Sequence, residues 1–138
     1  MVPRESKISK SRRLRFTLSR METTPEKLTE LPAGSIVVFG SNAAGAHGGG
    51  AARVALERFG AIWGQGEGLQ GQSYAVPSMD GLDALRDAAE RFVAFAVEHP
   101  ELRFYLTKVG CGIAGHDESD VAPLFDATPD NVVKPAGW

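Results

Sequence analysis

The run Ile36-Val37-Val38-Phe39 constrains this chain more than any other stretch, because no polar residue interrupts it. A strand with one face in water alternates apolar and polar side chains. A wholly apolar run bounded by turns suits a strand buried on both faces, as in a parallel sheet covered by helices. Leu31-Pro32-Ala33-Gly34 supplies the turn before the run, and Gly40-Ser41-Asn42 ends it. A glycine-rich loop follows, then Ala51 to Phe59, whose Ala52, Ala55, Leu56 and Phe59 share one helical face. Gly60 stops that helix.

The pattern then repeats in kind. Ser73 to Pro77 reads as a second short strand, ended by its proline. Leu82, Leu85, Ala89, Phe92, Val93, Ala96 and Val97 recur at three- and four-residue steps, with charged residues largely opposite, which predicts an amphipathic helix closed by Pro100. Arg103 to Val109 reads as a third strand, Glu118 to Phe125 as a short helix, and Asn131-Val132-Val133 as a last strand. Strands alternating with helices predict an α/β fold of three layers around a mostly parallel or mixed central sheet. Gly64 to Gln72 reads as a polar, flexible loop placed to act as a lid, and Trp63 beside it as stacking on an adenine or, by default, packing on a helix.

The chain has 138 residues, enough for one domain, which we place at 31–138 behind an irregular basic extension at 1–30. Residues 1–20 hold seven basic groups and one acid, so the formal net charge of −2 divides into +6 there and −8 on the rest. The basic segment has three readings: an arm for nucleic acid, an idle solvated extension, or the product of an upstream start, since Met21 opens a more typical globular sequence. The acidic body argues against a broad nucleic-acid face. No run of about 18 apolar residues is present, so no membrane span is expected. The single Cys111 excludes an intramolecular disulfide and suits a reducing, cytoplasmic compartment. His47, His99 and His116 lack metal-ligand spacing, and no metal or cofactor is expected.

Two glycine-rich loops carry the chemistry. In open parallel sheets, ligands bind beyond the carboxyl ends of strands, where both loops begin. In the first, Gly48, Gly49 and Gly50 precede Ala51 at a helix start, where unpaired N–H groups and partial positive charge attract anions. Asn42 can donate and accept, as a ribose hydroxyl pair requires. His47 reads either as a ligand contact or as an exposed side chain. The loop lacks the Lys-Ser/Thr of a Walker motif and the spacing of a dinucleotide fingerprint. In the second loop, Gly110, Cys111, Gly112, Ile113, Ala114 and Gly115 would form an anion nest of backbone amides. Cys111 reads as a nucleophile or, preferably, as a small buried residue. Asp117 reads as a helix cap or as an acid–base group. His47 and Asp117 are the two candidates for a catalytic base.

The order of these segments resembles the macrodomains, the ADP-ribose-binding α/β family, and most of all short macro-like proteins of bacteria and phages. The resemblance covers about residues 36–138 and rests on the apolar strand ending in Asn42, His47 to Ala52, Tyr74 to Pro77, and Gly110 to Ile113. It implies that Asn42 faces the distal ribose, that Gly48 to Gly50 line the ribose-phosphate side, and that Gly110 to Gly115 wrap the diphosphate. The partner it implies is ADP-ribose, free or attached to a macromolecule, either held or removed. Gly110 to Ile113 look most like the terminal ADP-ribose protein glycohydrolases, which use a lysine and an aspartate. Here Ala114 takes the aspartate's place, and Ser78-Met79 stand where the lysine would be. The adenine-binding aspartate of typical macrodomains has no counterpart near the first strand. The alternative function is a nucleic-acid-associated accessory protein acting through residues 1–20.

Overall fold

A computed structural model describes residues 22–138. Five strands form one mixed sheet: β1 (Ser35–Ser41), β2 (Gly68–Gln70), β3 (Ser73–Pro77), β4 (Arg103–Leu106) and β5 (Val132–Val133), in the order β2-β3-β1-β4-β5. β1 pairs in parallel with β3 and β4, β4 pairs in parallel with β5, and β2 runs antiparallel to β3 at the edge. Helices α1 (Gly50–Arg58), α2 (Leu82–Glu98) and α3 (Glu118–Val121) lie between strands, and α3 continues as a 3₁₀ turn over Ala122–Phe125. This is the three-layer α/β arrangement expected from the alternation of elements.

The central strand explains its own sequence. Ile36 and Val38 pack with Phe104, Leu106 and Val76 against Leu85, Ala89 and Phe92 of α2. Val37 and Phe39 point the other way, against Ala52 and Ala55 of α1 and Phe59. Side chains alternate across a strand, so a run buried on both faces has no position left for a polar residue.

Three expectations change. The segment Gly64 to Gln72 is not a lid: Gly68 to Gln70 add an antiparallel edge strand, and the rest lies behind the first glycine loop. Its polarity is used internally. Gln70, 2% exposed, accepts from the Ile62 N–H and donates to the Gln65 and Gly68 carbonyls, while Gln65 Nε2 donates to those of Glu67 and Leu69. Trp63 does not pack on a helix; it is 60% exposed. β4 stops at Leu106 because Thr107 turns inward: its hydroxyl donates to the Val38 carbonyl at 2.7 Å, and the Val109 N–H folds back onto the Thr107 carbonyl.

Residues 22–31 run along the domain. Thr23 bridges Lys134, Thr24 donates to the Val133 carbonyl, and Leu28 and Leu31 pack beside α1. The basic segment 1–20 lies outside the described residues.

Candidate functional site

The carboxyl ends of β1, β3 and β4 open into a cleft of about 360 Å³, inside the range of roughly 300–1,000 Å³ typical of small-molecule sites. Gly49, Gly50, Ala51 and Ala52 form one wall, and Val109, Gly110, Gly112, Ile113 and Ala114 the other. The two glycine-rich loops therefore flank one crevice. Gly40, Ser41 and Asn42 lie along it at the end of β1, and Ser78 and Met79 after β3.

The first wall is the bare start of α1. Gly49 is the N-cap, no side chain caps the helix, and no acid stands in its first turn. The orphan N–H groups and the positive end of the helix dipole are thus left uncompensated beside the cleft. A Cβ on Gly48 or Gly50 would meet only open space, and Gly50 has φ +58°, which disfavours any other residue. The glycines leave the backbone uncovered rather than making room for a packed neighbour.

The second wall is a stapled turn. The His116 N–H donates to the Gly110 carbonyl at 2.8 Å, and His116 Nε2 lies 3.2 Å from the Ser78 carbonyl oxygen. Gly110 has φ +78°, and a Cβ there would crowd His116 and Leu85 at 3.1 Å. Among the described residues, none accepts from the N–H groups of Gly112, Ile113 or Ala114. The turn is held at its base and presents free donors at its tip, as an anion nest requires.

Several residues singled out from the sequence sit elsewhere. His47 is neither exposed nor on the cleft wall: it is fully buried, edge-on to Phe39 at 5.1 Å, with Nε2 3.1 Å from the Gln65 carbonyl and Nδ1 without a partner. It braces the first loop from beneath. Asp117 occupies the N-cap of α3, but its side chain caps nothing; its carbonyl accepts from Asp120 and Val121. Neither lines the cleft, so neither is placed as a base there. Gly48, Cys111 and Gly115 also fall outside the lining. Cys111, within the second loop, packs against the larger core, and burial pushes its thiol above the ordinary value, so it stays protonated at neutral pH. Asn42 is on the cleft, but its amide is engaged across its own loop: Nδ2 donates to the Ala46 carbonyl and Oδ1 accepts from the Ala46 N–H. One N–H and one lone pair remain for a ligand.

The middle segment explains how the first loop holds its shape. Ideal Cβ atoms on Gly66 and Gly45 would fall 2.4 Å from the Asn42 carbonyl oxygen and the Gln65 backbone, respectively. Backbone packs directly on backbone there, and only glycine permits it.

The sequence reading missed Glu26, Thr107 and Lys108, all on the cleft. The same three line a second, adjoining cavity of about 160 Å³ with Thr24, Pro25, Pro135 and Ala136. Among the described lining residues, Glu26 is the cleft's only acid and Lys108 its only basic side chain. Lys108 Nζ lies 3.2 Å from Glu118 Oε2, and Glu118 accepts from the Trp138 indole N–H at 3.0 Å. These two contacts, the indole first, hold the Glu118 carboxyl below the usual carboxylate range.

Among the described residues, no group of three His, Cys, Asp or Glu is placed to hold a metal ion, and no helix is long and apolar enough to cross a membrane. Compared with models of known protein families, with curated proteins and with solved structures, the chain matches none.

Proposed function

We propose that this protein binds ADP-ribose, free or carried on a macromolecule, with the diphosphate between the start of α1 and the Gly110–Gly115 turn. The observation that carries the reading is the pairing of two uncovered rows of backbone N–H groups on facing walls of one cleft. Backbone donors with no side-chain acceptor nearby suit an anion better than an uncharged ligand. The charge layout orients the rest of the ligand. Glu26, an acceptor when ionised, suits the amino group of a base and repels a phosphate. The base therefore points toward Glu26 and the smaller cavity, and the distal ribose toward Asn42.

The reading is of a binding site. His47 and Asp117 stand off the cleft and Cys111 is a protonated thiol, so the groups available to a ligand are donors, one carboxylate and one ammonium. Titration calorimetry with ADP-ribose, ADP and NAD tests it. Saturable heat with ADP-ribose is expected; none at millimolar ligand removes the reading. Incubation with ADP-ribosylated protein and DNA then shows whether bound ADP-ribose is also released.

A further inference from the structure

We infer that Lys108 is the residue that reads ligand charge in this cleft, and that Glu118 is its resident counter-ion, exchanged for a phosphate when ligand binds. The inference rests on the ADP-ribose reading for the ligand's identity, but on the cleft alone for its chemistry.

Lys108 stands at the seam of the two cavities and contributes to both. Its ammonium meets Glu118 at 3.2 Å. Glu118 is itself fixed: the Trp138 indole donates to its other oxygen, and Trp138 stacks on Phe125 with ring centroids 6.0 Å apart. The carboxylate therefore stays where the lysine finds it.

The side chains of the pair are 36% and 49% exposed. Exposed ion pairs contribute little to stability, so parting this one costs the fold little. A phosphate seated against the amide walls offers the same ammonium a charge-assisted bond, with further donors around it. One charge is traded for another, and Lys108 is never left unpaired. An uncharged ligand of the same shape cannot make the trade. Lys108 should thus set the preference for phosphorylated over unphosphorylated ligands, with Glu118 as the competitor that tempers it.

The test is equilibrium binding of inorganic pyrophosphate, ADP-ribose and adenosine to the full chain and its Lys108→Met, Lys108→Arg, Glu118→Gln and doubly substituted Lys108→Met/Glu118→Gln variants. Lys108→Met keeps the stem and removes the charge. It should weaken pyrophosphate and ADP-ribose by about tenfold and leave adenosine unchanged. Lys108→Arg should restore most of the loss. Glu118→Gln should tighten pyrophosphate by about threefold where Lys108 is present and not at all beside Lys108→Met, since its effect runs through the lysine. Equal affinity of Lys108→Met and the unaltered protein for both anions would overturn the inference, as would a Glu118→Gln effect that persists without the lysine. Lys108-dependent binding of pyrophosphate without binding of ADP-ribose would sink the proposed ligand and keep the inference. ADP-ribose bound equally well with and without Lys108 would do the reverse.

Discussion

Ile113 reaches across the mouth of the cleft toward Gly49: a methyl group standing on the glycine would lie 3.5 Å from Ile113 Cδ1. Ile113 is 80% exposed, so the core gains almost nothing from it. A branched apolar side chain held out at a rim covers whatever sits below. Ile113→Ala should raise the dissociation rate of the proposed ligand, ADP-ribose, about threefold with a smaller change in association, as stopped-flow measurements would resolve. The unfolding free energy should move by no more than about 0.5 kcal/mol, the usual range for surface changes. An unaltered dissociation rate would leave Ile113 without a part in binding.

Gly40 sets how closely the two strand ends approach at the floor of the cleft. A Cβ there would lie 2.9 Å from Ser78 Oγ and 3.2 Å from the Gly110 nitrogen. Gly40→Ala should cost about 1–3 kcal/mol, the usual penalty of overpacking, read from urea denaturation. Combining it with Ser78→Ala removes the nearer clash, so the pair should be less destabilised than the two single losses added together. Simple additivity would show that the strain lies at Gly110 instead.

How much of this was legible in the sequence depends on where each signal resides. The two-sided burial of Ile36 to Phe39 and the stripe of α2 are written in neighbouring residues, and both can be read without a partner. β2 is not: three residues at a sheet edge form a strand only because Ser73 to Ala75 lie beside them. Glycine runs announce uncovered backbone, and these two leave it bare along one cleft. The side chains that complete the cleft differ in how far they can be read. Glu26 arrives from a segment with no periodicity, through the Thr23–Lys134 bridge. Lys108 did carry a signal, since a lysine just before a glycine loop at a strand's carboxyl end sits where ligands bind. His47 misled because polar residues in glycine loops are usually exposed. Here glycines draw the loop and middle segment together, and the imidazole fills the space between Phe39 and Gln65.

That burial makes His47 a structural residue with a measurable signature. His47→Ala removes a fully enclosed ring and should cost about 3 kcal/mol, in the range of large-to-small core substitutions. His47→Phe keeps a ring and the edge-on contact with Phe39, gives up the hydrogen bond to Gln65 and adds some bulk, so it should cost less, about 1–2 kcal/mol. Urea midpoints at pH 7.5 would separate the two. If both variants kept full stability and lost ligand release, His47 would be acting on substrate and its assignment beneath the loop would fail.

The pH dependence of stability at the alkaline end should be governed by Tyr74. Its ring packs against Phe92 at 5.1 Å within the larger core, and burial, reinforced by Glu67 and opposed by Arg91, pushes its phenol up to about 12. The ordinary value is about 10. Below pH 10 the phenol keeps its proton in both folded and unfolded chains, so it adds no slope. Between about 10 and 12 the unfolded chain gives up the proton while the folded chain retains it. The unfolded state then binds fewer protons, and stability falls as pH rises. Tyr74→Phe has no proton to lose, so its urea midpoint should fall less from pH 9.5 to pH 11.5 than that of the unaltered protein. Parallel declines for the two would mean that the phenol ionises without resistance, and that the core around Phe92 admits water.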